Sequence, residues 1–171
     1  MRKAFPIFIN IFALIGFLFV VGQLTPRIEK FYLESQTKKV AAVKEVPEMK
    51  DILDPTDQEK RLKAGRKLVE RVGMEEALEI LEHSSLPHTG EGHLVVHQIG
   101  FYGYQKFGAD SILKCKDYFL YACYHGAIIE AASVEGFDGI TKMTDKCKAS
   151  PVRYFQCVHA AGHSILAMWD Y

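Results

Sequence analysis

A glycine, a variable residue, an acid and a short apolar-periodic stretch recur three times along this chain: "GMEEALEIL" at Gly73, "GADSILKC" at Gly108 and "GFDGITKM" at Gly136. Glycine tolerates the left-handed backbone that ends a helix, and an acid in the first turn of the next helix faces the positive end of its dipole. Each unit therefore reads as a long helix, a glycine cap and a short helix. The long helices are "QEKRLKAGRKLVERV", "EGHLVVHQIGFYGYQKF" and "YFLYACYHGAIIEAASVE", and the glycines stand 35 and then 28 residues apart. That spacing is typical of paired-helix repeats that stack to share a core. No strand-period stretch or hairpin signal competes with it.

The expected fold is all-α, with stacked helix pairs in a solenoid-like array over residues 58–171. A fourth long helix begins near Pro151, but no glycine and short partner follow it, so by the logic of the repeat the sequence stops half a unit early: either Tyr171 is the end and the last helix docks bare, or this is a piece of a longer array. An apolar helix at the edge of a stack is a natural place for self-association, or for a peptide or protein partner.

Ahead of the array, "MRKAFPIFINIFALIGFLFVVGQL" places two cations before an uncharged run from Phe5 to Leu24. At about 1.5 Å per residue the run reaches about 30 Å, the thickness of a hydrocarbon core. It predicts a transmembrane anchor over 1–24. Arg2 and Lys3 on its short flank predict a cytoplasmic N-terminus and an extracytoplasmic C-terminal domain. The competing reading is a cleaved signal peptide, which calls for a shorter apolar core and small residues at the cleavage site; the run ends instead in "VVGQ". Residues 25–57 mix charges of both signs with prolines and read as a partly helical stalk.

An apolar fraction of 49% is enough to build a core, and Lys plus Arg equals Asp plus Glu at 21 each. With no basic excess, nucleic-acid binding is not expected. The four cysteines, Cys115, Cys123, Cys147 and Cys157, all lie beyond the apolar run. An even number outside the cytoplasm predicts disulfides, and the alternative is four buried thiols in a reducing compartment. Four cysteines allow three pairings. Cys115 ends one short helix and Cys123 opens the next long one, and Cys147 and Cys157 repeat that relation. Adjacent pairing would thus staple each unit to its neighbour.

Aligned on the repeat, the long helices carry "HLVVHQIG", "CYHGAIIE" and "CVHAAGHS". His93, His125 and His159 fall at matching places, as do His97 and His163, while Ile129 takes the second slot of the middle helix. Histidines at i and i+4 share one helix face, where two imidazoles can reach one metal ion. Five such nitrogens suit zinc, iron or copper, with haem a weaker fit. The alternative is core packing, in which each imidazole bonds a carbonyl. Glu130, five residues after His125, is a candidate oxygen ligand or general base. The glycines and alanines beside the histidines would let helices approach closely enough to converge ligands. His88, in the "PHTGEG" loop, is a remote candidate for an added ligand, and His83 is unassigned. The aromatic residues between Phe101 and Phe155 read as core, with tyrosine hydroxyls as donors to the ligands.

Signatures of zincin proteases, covalent haem attachment, P-loops and α/β-hydrolases are absent. A thiol nucleophile at "CYH" or "CVH" would need cysteines that are not paired. From Gly90 onward, the sequence resembles a set of uncharacterised prokaryotic membrane-anchored helical proteins with repeated C-x-H-G-x-G-H and H-x3-H-x2-G signatures. It departs from them where "CVHAAGH" has alanine for glycine and where "CYHGAIIE" lacks the second histidine. The resemblance implies no activity. Two readings follow from the sequence: a membrane-anchored helical-repeat protein with a histidine-rich transition-metal site, catalytic as a hydrolase or redox enzyme, or a non-catalytic repeat module that binds a partner with its histidines as packing.

Overall fold

The computed structural model describes residues 22, 24–35, 46–54 and 56–169. They divide into two units, Met1–Ala42 and Val43–Tyr171. In the first, helix α1 covers residues 24–35 and exposes Ile28, Phe31 and Tyr32. The second contains α2 (Pro47–Ile52), α3 (Gln58–Val72), α4 (Met74–Glu82), α5 (Glu91–Phe107), a 3-10 segment (Gly108–Lys114), α6 (Ala122–Glu135), α7 (Phe137–Cys147) and α8 (Pro151–Trp169). No strand occurs among the described residues.

The all-α expectation agrees with this structure, but two expectations built on the N-terminal run are corrected. Among the described residues, no helix is long and apolar enough to cross a membrane, so the fold includes no observed transmembrane helix. Residues 1–21, which hold most of the run read as an anchor, lie outside the described residues. Assignment as a single-pass membrane protein loses its support for the same reason. What bears on location is a pair of disulfides, Cys115–Cys123 and Cys147–Cys157, which leave no free cysteine. Such bonds persist in oxidising compartments.

The long helices stack in chain order, α3 on α5, α5 on α6 and α6 on α8, and the short elements pack beside them. Leu68, Val69, Leu78, Val96, Ile99, Ile112, Ile128 and Met143 form a continuous buried core. Met49 and Ile52 of α2 join it, so the compact unit takes in part of the segment that reads as a stalk. Buried Arg61 on α3 donates to the carbonyl of Asp54 and to Glu91 in the first turn of α5, which ties that helix start to its neighbour.

The three repeat glycines do join long to short elements, each serving as the end of one and the start of the next. Gly73, Gly108 and Gly136 have φ of +87°, +57° and +64°, with ψ of 168°, −144° and −143°. This is the positive-φ region with extended ψ that side chains exclude, rather than the left-handed helical well that the cap pattern predicts. Glu75, Asp110 and Asp138 sit in the first turns that follow, as expected for acids at a helix start. The segment after Gly108 closes as a 3-10 helix, and α6 begins at Ala122 rather than Tyr118. Phe119, Leu120 and Tyr121 instead adopt positive φ in succession, at 51°, 52° and 62°. α8 ends the stack with Val152, Phe155 and Leu166 exposed.

Candidate metal centre

The five aligned histidines come from three neighbouring long helices. His93 and His97 stand one turn apart on α5, His125 lies on α6, and His159 and His163 stand one turn apart on α8. Because α6 packs against both α5 and α8, His125 is the middle member. Its ring centroid lies 5.6 and 5.4 Å from those of His93 and His97, and 5.2 and 4.9 Å from those of His159 and His163.

Small residues make the convergence possible. A Cβ on Gly126 would lie 2.0 Å from the carbonyl oxygen of His97, and one on Gly100 would lie 2.3 Å from that of Cys123. The backbones of α5 and α6 therefore touch where their histidines face each other. The glycine of "HAAGH", Gly162, has no such neighbour; there the buried small residues are Ala160 and Ala161.

A turn that precedes α6 orients His93. The Nδ1 of His93 lies 2.7 Å from the carbonyl oxygen of Phe119. A carbonyl only accepts, so His93 carries its proton on Nδ1 and donates it there. Its Nε2 then points a lone pair at the Nε2 of His97, 3.0 Å away. Ligand histidines commonly have this support, their second N–H held by a carbonyl so that the ring is fixed and made more basic. The Phe119 carbonyl is available because of the three positive-φ residues. Each costs on the order of 1–2 kcal/mol for a side chain with a Cβ. The Cys115–Cys123 bond spans this turn, buried Phe119 anchors it, and the Tyr124 hydroxyl donates to the Cys115 carbonyl at 3.2 Å.

The disulfides and the histidines are linked along the chain as well. Cys123 precedes His125 by two residues near the start of α6, and Cys157 precedes His159 by two within α8, so each bond anchors a helix just ahead of a site histidine.

The ring nitrogens gather into two triads, His93–His97–His125 and His125–His159–His163, and within each they lie within 4.8 Å of one another. Either triad can hold a metal ion. Tetrahedral bonds of 2.0–2.1 Å place ligand nitrogens about 3.3 Å apart and imidazole centroids about 5 Å apart. Centroid spacings of 4.6 Å for His93–His97 and 4.7 Å for His159–His163 are near that value. His93 and His97 are partly buried, whereas His159 and His163 are exposed.

His125 retains 7% of its surface, and its Nε2 is fully buried with no hydrogen-bond partner. An imidazole nitrogen in that position is costly to leave unpaired. Burial, and then the surrounding imidazoles, push His125 down to about 3; the same causes, with His93 and His163 as the neighbours, push His97 down to about 4. Both rings are neutral at pH 7 and have lone pairs to offer.

No protein-family model, curated protein or solved structure matches this chain. The geometry is therefore the ground for any functional reading.

The other sequence candidates lie apart from the triads. The Glu130 carboxylate accepts from Gln105 Nε2 at 2.7 Å and from the Ser133 hydroxyl at 3.4 Å. His88 is exposed, 3.5 Å from Glu82 and with its ring tilted against that of Phe119 at 4.6 Å, and His83 stands 4.0 Å from Glu79. Tyr104 and Tyr118 donate to Glu135 and Glu79. What sequence reasoning missed is the Phe119 carbonyl. A main-chain oxygen has no side-chain signature, and the only hint was a cysteine pair bracketing a run of aromatics.

Proposed function

We propose that this chain is a transition-metal-binding protein whose centre is built from His93, His97 and His125, with His159 and His163 alongside. The observation that carries the reading is the buried, unpartnered Nε2 of His125 among four other imidazoles. An all-imidazole ligand set suits zinc, copper or iron. Three protein ligands leave a position open, as catalytic sites do, and the exposed histidines of α8 offer an approach from solvent. An ion held there supplies Lewis acidity to a hydrolytic step, or electron transfer if it is copper or iron. The paired cysteines are not available as nucleophiles or thiolate ligands.

Elemental analysis of tag-free protein tests the proposal, together with a His97→Ala, His163→Ala double variant that removes one ligand from each triad. Expected is at least one equivalent of metal in the parent, lost in a variant that keeps its helical circular dichroism. Absence of metal after reconstitution at neutral pH, where imidazole is largely unprotonated, overturns it. The exposed Val152, Phe155 and Leu166 on α8 favour the second reading, a non-catalytic module that binds a partner protein or a second copy of itself. That reading expects a concentration-dependent sedimentation coefficient that Phe155→Ser abolishes, whatever the metal content.

A further inference from the structure

The geometry points to two ions rather than one, with the imidazole of His125 between them. This rests on the metal-binding reading above and adds to it. The five nitrogens form two triads that share His125, not one group of five. Ligands of a single ion with bonds of 2.0–2.1 Å lie no more than about 4.2 Å apart even when opposite one another. The nitrogens of each triad, all within 4.8 Å of one another, are at or close to that limit.

The helices divide the ligands in the same way. Each i, i+4 pair belongs to one helix, His93 and His97 to α5 and His159 and His163 to α8, and α6 packs against both. The centroids of the inner triad are 4.6, 5.4 and 5.6 Å apart and those of the outer triad 4.7, 4.9 and 5.2 Å apart. Both sets fall close to the spacing of about 5 Å expected around one tetrahedral ion.

His125 can serve both ions only if each receives one of its nitrogens. A neutral imidazole has a lone pair on one nitrogen and a proton on the other. Binding the second ion releases that proton to solvent and leaves an imidazolate with a lone pair on each edge. The two ions then stand about 6 Å apart, the sum of two metal–nitrogen bonds and the ring between them. The inner ion, behind partly buried His93 and His97, is the less accessible, and the outer ion, held by exposed His159 and His163, faces solvent.

Titration of the tag-free protein with Cu(II), read by elemental analysis and electron paramagnetic resonance, tests this. Expected is saturation at two equivalents, with the signal per copper falling as the second binds because the two spins couple through the ring. In His163→Ala, a change at an exposed position, one equivalent binds with an uncoupled signal of full intensity. Saturation of the parent at one equivalent overturns the two-ion inference and leaves the proposed function standing, whereas no binding at all removes both. Two equivalents whose signals stay independent overturn the role of His125 as the bridge.

Discussion

The imidazole of His93 donates from Nδ1 to the carbonyl oxygen of Phe119 at 2.7 Å, and the turn that offers that carbonyl is closed by the Cys115–Cys123 disulfide. The bond that staples two helical units together is thus one step removed from a candidate metal ligand. Changing both cysteines to alanine should cost stability and metal affinity together. Removing a loop of this size from the cross-linked chain costs about 2–3 kcal/mol. Loss of the support on His93 should weaken metal binding by about 10-fold or more. Urea denaturation and competitive chelator titration measure the two effects separately.

Gly126→Ala and Gly162→Ala should behave oppositely, although both glycines flank site histidines. The new Cβ at 126 would stand 2.0 Å from the His97 carbonyl oxygen, and α5 and α6 would have to separate. Overpacking of this kind costs about 1–3 kcal/mol. At 162 nothing lies within 4 Å of the new Cβ, and alanine inside a helix gains about 0.5–1 kcal/mol over glycine. Equal effects of the two substitutions in denaturant melts would contradict the close α5–α6 crossing.

Gly136 offers a test of backbone rather than packing. An added Cβ there meets nothing within 4 Å, yet φ is +64°. Gly136→Ala should therefore destabilise by about 1–3 kcal/mol through strain alone, because ψ of −143° puts the residue in a region that is nearly exclusive to glycine. A neutral result would mean that α6 and α7 do not meet through the positive-φ residue.

Acidification should destabilise the metal-free protein. His97 and His125 titrate in the folded state at about 4 and about 3, below the ordinary value of about 6.5. Between those limits the unfolded chain binds more protons than the folded one, so stability rises with pH there. It is fully present above about pH 6.5 and is lost as pH falls toward 4 and then 3. Thermal melts of chelator-treated protein between pH 7.5 and pH 4 should show the loss, and His97→Ala should flatten its upper part. An apo protein with a pH-independent melting temperature over that range would mean that these rings are not buried neutral.

Local sequence information was enough for the repeat. Gly73, Gly108 and Gly136 followed by Glu75, Asp110 and Asp138 mark each junction, because positive φ and a charged first turn are demands that a few adjacent residues meet or fail. The same holds for the helices Gln58–Val72 and Glu91–Phe107, whose apolar period is visible along the chain. It holds also for the pairing of His93 with His97 and of His159 with His163, since an i, i+4 relation follows from helix geometry alone. The apolar run at the N-terminus lies almost wholly outside the described residues, and no described helix is long and apolar enough to carry the membrane assignment that its hydropathy suggested.

Which histidines meet was decided in three dimensions. His125 stands between two pairs because α6 packs between α5 and α8, and the distance at that crossing depends on the contact of Gly126 with the His97 carbonyl. The Phe119 carbonyl became a support for His93 through a strained turn held by residues on several elements, and Glu130 was drawn to Gln105 of α5. None of these follows from periodicity or spacing. Each depends on the separation and rotation of two helix backbones, and those are set by the packing of the whole core rather than by the residues on either side of the group concerned.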